Sequence, residues 1–147
     1  MKKATRSPIQ LAHLAMDSVH FERSDLPPST EEKSYSYDIQ LNVEVAQVEI
    51  DEHDDSKRLV TASIAVEWEE DPGPFALQVR YRALVVQDGT VEQETFEKVC
   101  RLQIPTTILG FVRPLVARLM SEAGESFRLP LIDLRNQDVP HEEDEES

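Results

Sequence analysis

The chain has one cysteine, Cys100, and only four glycines in 147 residues. A lone cysteine forms no internal disulfide, which fits a reducing cytoplasm. The glycines are not grouped, so there is no glycine-rich phosphate loop. No apolar run approaches the ~18 residues a membrane-spanning helix needs. The basic start Met1-Lys2-Lys3-Ala4-Thr5-Arg6 leads into a mixed segment with His13 and Asp17, not a signal-peptide core. Bases are few: 15 Lys and Arg against 29 Asp and Glu leave a net charge of −14. That balance opposes nucleic acid and membrane surfaces as partners.

Chemistry-bearing clusters are also sparse. His53 sits among Asp51, Glu52, Asp54 and Asp55. Adjacent residues on one turn rarely converge on one ion, and no second histidine stands at ligand spacing. Cys100 has no base nearby in sequence and reads as a packing residue. The many carboxylates fall in turns and in the tail. The expectation is no catalytic residues, no metal, no cofactor and no enzyme.

What the chain does have is alternation. Residues 35–50, 59–69 and 75–86 switch between apolar and polar. In the first run Tyr35, Tyr37, Ile39, Leu41, Val43 and Val45 point one way, while Ser36, Asp38, Gln40, Asn42 and Glu44 point the other. A period of two puts one set on each face of a strand, the habit of antiparallel sheets with one covered and one wet face. The second run turns Val60, Ala62, Ile64, Val66 and Trp68 inward; the third turns Phe75, Leu77, Val79, Tyr81, Ala83 and Val85. A bulge is expected near Ala46-Gln47, where Val48 and Ile50 lose step. Arg80 and Arg82 are expected beside Glu67 and Glu69 as cross-strand pairs. Ahead of these runs, Ile9, Leu11, His13, Ala15, Val19 and Phe21 read as a strand with an irregularity near Met16-Asp17. Pro27-Pro28 ends it.

Turns follow at Asp71-Pro72-Gly73-Pro74 and Asp88-Gly89. Residues 90–101 carry weak helical spacing through Val91, Phe96, Val99 and Cys100. The stronger helix covers residues 105–121, with Pro105 in its first turn. Ile108, Val112, Leu115 and Leu119 form its stripe, widened by Leu109, Val116 and Met120. Pro114 is expected to kink or split it near Gly110-Phe111, and Gly124 to stop it. Six acids lie within the last ten residues, and without them the chain still carries −8. The division is one domain over residues 1–134 and an acidic, solubilising, disordered tail over residues 135–147.

The expected class is α+β, a four-stranded antiparallel sheet with helices on one side. Four strands present an apolar face of roughly 700 Å². A helix of this length covers about 250 Å², and a second short one about 150 Å². Roughly 300 Å² is left over, more than a lone monomer usually exposes. Self-association, binding of something apolar and extended, or both are expected.

The order of elements, with Pro105-Thr106-Thr107-Ile108-Leu109-Gly110-Phe111-Val112-Arg113, resembles the SecB family of protein-export chaperones. There a proline, a short apolar run, an aromatic and then a small residue plus Arg open the main helix. The stretch from Met120 through Gly124 to Phe127 is similar to the family's helix end and Gly-x-Phe return. Val19-His20-Phe21-Glu22 resembles its first strand, residues 35–43 its aromatic-led second strand, and Phe75-Ala76-Leu77-Gln78-Val79 its fourth. The likeness spans residues 9–134 in order. It departs at Arg82-Ala83, where the family has glycines, and at Gly110, where it has proline. The family's Pro-Ile-Asn-Phe stretch and its final helix have no counterpart.

The resemblance implies a homo-oligomer, a dimer of dimers, whose apolar grooves hold unfolded polypeptide clients without ATP. The expected groove residues are Tyr35, Tyr37, Ile39, Leu41, Phe75, Leu77, Ile104, Leu109 and Phe111; each is equally at home in a core or a subunit interface. Glu22 and Gln78 stand where export members contact the translocation motor SecA. Gln78 replaces an acidic residue there, which favours a dedicated chaperone, for instance of an antitoxin in a toxin–antitoxin system. A structural or adaptor oligomer, whose sheet only seals a subunit interface, is the third alternative.

Overall fold

The computed structural model describes residues 7–24, 36–48, 56–70, 73–130 and 132. Four strands form one antiparallel sheet: β1 (Ile9–Arg23), β2 (Tyr37–Gln47), β3 (Lys57–Trp68) and β4 (Phe75–Gln87). Their spatial order is β1-β4-β3-β2. The chain thus winds β2, β3 and β4 as a meander and returns the first strand beside the last, a Greek-key order. Helices α1 (Gln93–Lys98) and α2 (Ile104–Ala123) follow, joined by a π-helical turn, Val99–Gln103. The class is α+β, as the alternation and the following amphipathic helix imply.

Pairing explains which residues share a face, since directly opposed residues in antiparallel strands point the same way. Leu41, Ile64, Val79 and Val19 lie in one row across all four strands, and Val43, Ala62, Tyr81 and Met16 in the next. The helices cover this face. Val60, Ile64, Phe75, Leu77, Val79, Ala83 and Val85 of the two central strands are buried against Phe96, Ile108, Val112, Val116 and Met120. Burying each such side chain contributes roughly 1.5–3 kcal/mol relative to exposure.

Four expectations need correcting. No bulge interrupts β2, which pairs in regular register with β3 from Tyr37 to Gln47 and ends there; Ile50 lies outside the described residues. In β1 the irregularity expected near Met16-Asp17 is present, at Met16/Ser18, and a second one lies at Leu11/His13. They turn Leu14 and Met16 to the helix side, opposite Ala83 and Tyr81, and leave His13 and Ala15 on the outer face. Arg80 and Arg82 oppose Ser63 and Thr61. They reach Asp17 of β1 at 3.8 and 3.5 Å, while Glu67 accepts a hydrogen bond from Gln40. Register, not charge, decided this, because exposed ion pairs are worth under about 1 kcal/mol. Finally, Pro114 does not split α2. Its ring and the residue four before it, Gly110, are on the exposed side, where the carbonyl left without an N–H partner meets water.

The π-helical turn has a local cause. Pro105 lacks an N–H, and its ring would crowd the carbonyl four residues earlier. The ladder widens ahead of it, so that Ile104 N–H reaches Val99 O, five residues back. The hydroxyls of Thr106 and Thr107 donate back to the Leu102 and Gln103 carbonyls at 2.7 and 2.9 Å. Gly124 ends α2 in the left-handed region, φ 72°, the conformation glycine adopts without Cβ strain.

One charge enters the core. Arg58, 4% exposed, donates to Glu97 of α1 at 2.6 Å and to the Lys57 carbonyl at 2.7 Å. Its guanidinium lies 5.7 Å from the Phe96 ring centre. Cys100 is buried nearby, and burial together with Glu97 pushes its thiol up to about 11. The packing reading of Cys100 agrees with that position.

Candidate functional site

Among the described residues, three places carry apolar surface that the helices leave open, and exposed Leu102 of the π-helical turn adds to them. The first is the end of the sheet where β2 and β4 begin and β1 and β3 end. Phe21, Tyr37, Trp68 and Phe75 meet there, and Phe127 joins them from the segment after α2. Ring centres are 5.5 Å apart for Tyr37–Trp68, 5.1 Å for Tyr37–Phe127, 5.0 Å for Trp68–Phe75 and 5.4 Å for Phe75–Phe127. Edge-on contacts of this kind add about 0.5–1.5 kcal/mol beyond area burial. Trp68 is locked by donating its indole N–H to the Phe75 carbonyl at 2.7 Å. Gly73 makes room for it, since a Cβ there would sit 2.2 Å from the indole. The turn at Gly124 and the Arg23–Glu125 ion pair at 3.2 Å bring Phe127 back over the sheet.

The second place is a strip between α2 and the edge strand β1. Met16, Val19 and Phe111 are 50%, 37% and 52% exposed. Half-buried Leu14, Tyr81, Leu115 and Leu119 carry the apolar surface from them into the core. At about 100° per residue, Phe111 lies some 160° around the helix from Arg113. Arg113 faces the segment after α2, so Phe111 faces away from that segment.

The third place is a pocket of about 140 Å³ between α2 and that returning segment. Thr106, Leu109, Gly110 and Arg113 form one wall, and Leu129, Pro130 and Ile132 the other.

The residues expected to line a groove do not share one environment. Phe75, Leu77, Ile104 and Leu109 are buried in the chain's own core, although Leu109 also edges the pocket. Ile39 and Leu41 are half-buried on edge strand β2. Tyr37 and Phe111 are exposed, on opposite sides of α2. Tyr35 lies outside the described residues. Glu22 and Gln78 sit together on the face away from the helices, Glu22 opposite Ala76 and Gln78 opposite Glu22's strand neighbour-but-one, His20; His20 and Glu22 approach to 3.8 Å.

Met16, Val19, Trp68 and Phe127 are parts of this surface that sequence reasoning did not single out. Val19 was read as part of the first strand's apolar set but not as open surface, and the irregularity at Met16/Ser18 took Met16 out of the period of two. Trp68 at a strand end and Phe127 after a stop glycine carried no signal that they meet. Among the described residues, no group of His, Cys, Asp and Glu is arranged to hold a metal, and no helix is long and apolar enough to cross a membrane.

No protein-family model and no curated protein sequence matches the chain. Its fold does match a solved structure, the Mycobacterium tuberculosis SecB-like chaperone Rv1957 in complex with a ChAD peptide from the Rv1956 HigA1 antitoxin. The TM-score is 0.62 at 14% identity, over 86% of this chain and 88% of that one. The fold is SecB-like and the sequence is far diverged.

Proposed function

We propose that this chain is an ATP-independent holdase chaperone that binds unfolded polypeptide on apolar surface, works in the cytoplasm and assembles as a homo-oligomer, a dimer of dimers. The likeness of fold to a SecB-like chaperone over most of both chains carries the reading. The surface supports it physically: apolar side chains lie open beside an edge strand whose outer backbone groups have no partner strand among the described residues. An extended client gains from both, through side-chain burial and strand addition. Such a chaperone binds the unfolded state by mass action and needs no nucleotide. Tyr37, Ile39, Leu41 and Phe111 are the groove residues this reading keeps at accessible positions, and Met16 and Val19 join them as surface for a client or a second subunit.

A second reading makes the chaperone dedicated to one client, such as an antitoxin. The solved neighbour holds an antitoxin peptide, and Gln78 lacks the charge expected of a SecA contact. A structural or adaptor oligomer remains the third. Purified protein in stoichiometric amounts should slow the aggregation of a denatured, unrelated protein. Unchanged light scattering would remove the general holdase. Co-expression with candidate antitoxins tests the dedicated form, and a pull-down with SecA tests export. Native mass measurement gives the subunit number; a monomer at working concentration would contradict the assembly.

A further inference from the structure

The lining of the pocket carries one charge, that of Arg113. Residues 104–121 carry Arg113 and Arg118 and no acid, and residues 126–132 carry Arg128 and no acid. Arg118 is engaged by Glu122 at 3.6 Å. Arg113 is exposed at the pocket and has no ion-pair partner among the described residues. The apolar part of the lining is made by Leu109, Leu129, Pro130 and Ile132. A dry apolar space of about 150 Å³ takes a benzene-sized group, so a pocket of about 140 Å³ takes one aliphatic side chain.

We infer that this pocket is a specificity subsite for an extended client segment in which an aliphatic residue is followed by an acidic one: the aliphatic side chain fills the pocket and Arg113 receives the carboxylate. This rests on the chaperone reading and names the client chemistry that the site selects. The argument is charge complementarity at short range. Arg113 acts at contact distance and can bind a carboxylate through two N–H groups.

The test uses the full chain and fluorescein-labelled peptides identical except at the residue after a central leucine, which is Glu, Gln or Lys. Anisotropy should give the Glu peptide about fivefold tighter binding than the Gln peptide, and the Lys peptide weaker still. Arg113→Gln should abolish the preference, Arg113→Glu should invert it, and 1 M salt should erase it in the wild type. Gly110→Leu places a side chain at the pocket mouth where the structure has open space, and should weaken all three peptides while the helix persists. Equal binding of the three peptides, or a preference that survives Arg113→Gln, overturns the inference and leaves the holdase reading intact. If no peptide binds and aggregation is not suppressed, both fall together.

Discussion

Val79 of β4 and Val19 of β1 are direct cross-strand partners on the same face of one sheet, yet Val79 is 1% exposed and Val19 37%. One strand spacing, about 4.8 Å, separates them. The difference is what lies above. A helix about 10 Å wide roofs roughly two strands, and α2 crosses the central pair. The outer strand receives only its flank. Apolar alternation therefore marks which face a strand turns to the helices, whereas position in the sheet sets how much of that face is hidden. In this molecule the residual apolar surface is a consequence of four strands under one main helix.

The roofed half should behave as a close-packed core. Ile64→Ala should cost about 3–4 kcal/mol in urea unfolding, since the cavity adds to the lost burial. A cost below 1 kcal/mol would mean that β3 and β4 are no better covered than β1. The buried cation sharpens the same point. Glu97→Ala should cost about 2–3 kcal/mol by removing the carboxylate from buried Arg58, and Arg58→Met combined with Glu97→Leu should recover most of it. A double variant as weak as the single one would show that the pair is not what the site requires.

Cys100 offers a pH test of the roofed side. Its thiol is raised from 9.0 to about 11 by burial first and Glu97 second. Between those values the unfolded chain releases the proton while the folded chain keeps it. The unfolded state then binds fewer protons, so stability falls as pH rises from 9 to 11, by up to about 2 kcal/mol. Cys100→Ala should flatten that part of the profile, and parallel profiles for the two proteins would contradict the assignment. On the open side the smallest effect is expected. Val19→Ser and Met16→Ser should change monomer stability by less than about 0.5 kcal/mol, while lowering the assembled mass or the suppression of aggregation. A large stability loss would place β1 under a roof after all.

Much of the fold was readable because it follows from local chemistry. The inward sets of β3 and β4, the stop at Gly124 and the start at Pro105 each depend on neighbours within a few residues. The Pro114 break was misjudged because a proline on the exposed side of a helix leaves its orphaned carbonyl to water. The Arg80 and Arg82 partners were misassigned because sheet order put β1, with Asp17, beside β4. The burial of the expected groove residues was not legible: Phe75 and Leu77 look the same in sequence as Tyr37 and Ile39, and only the placement of α2 separates buried from open.

Sequence alone determined the period of β3 and β4, the amphipathic stripe of α2 and the acidic balance, because these depend on residue type and spacing. Tertiary structure alone decided that β1 lies outermost beside β4, that five aromatics from distant segments converge, and that Arg113 meets an apolar pocket. Such contacts depend on how the strands are ordered and where one helix crosses them. Many sequences with the same local pattern would satisfy that pattern in other arrangements.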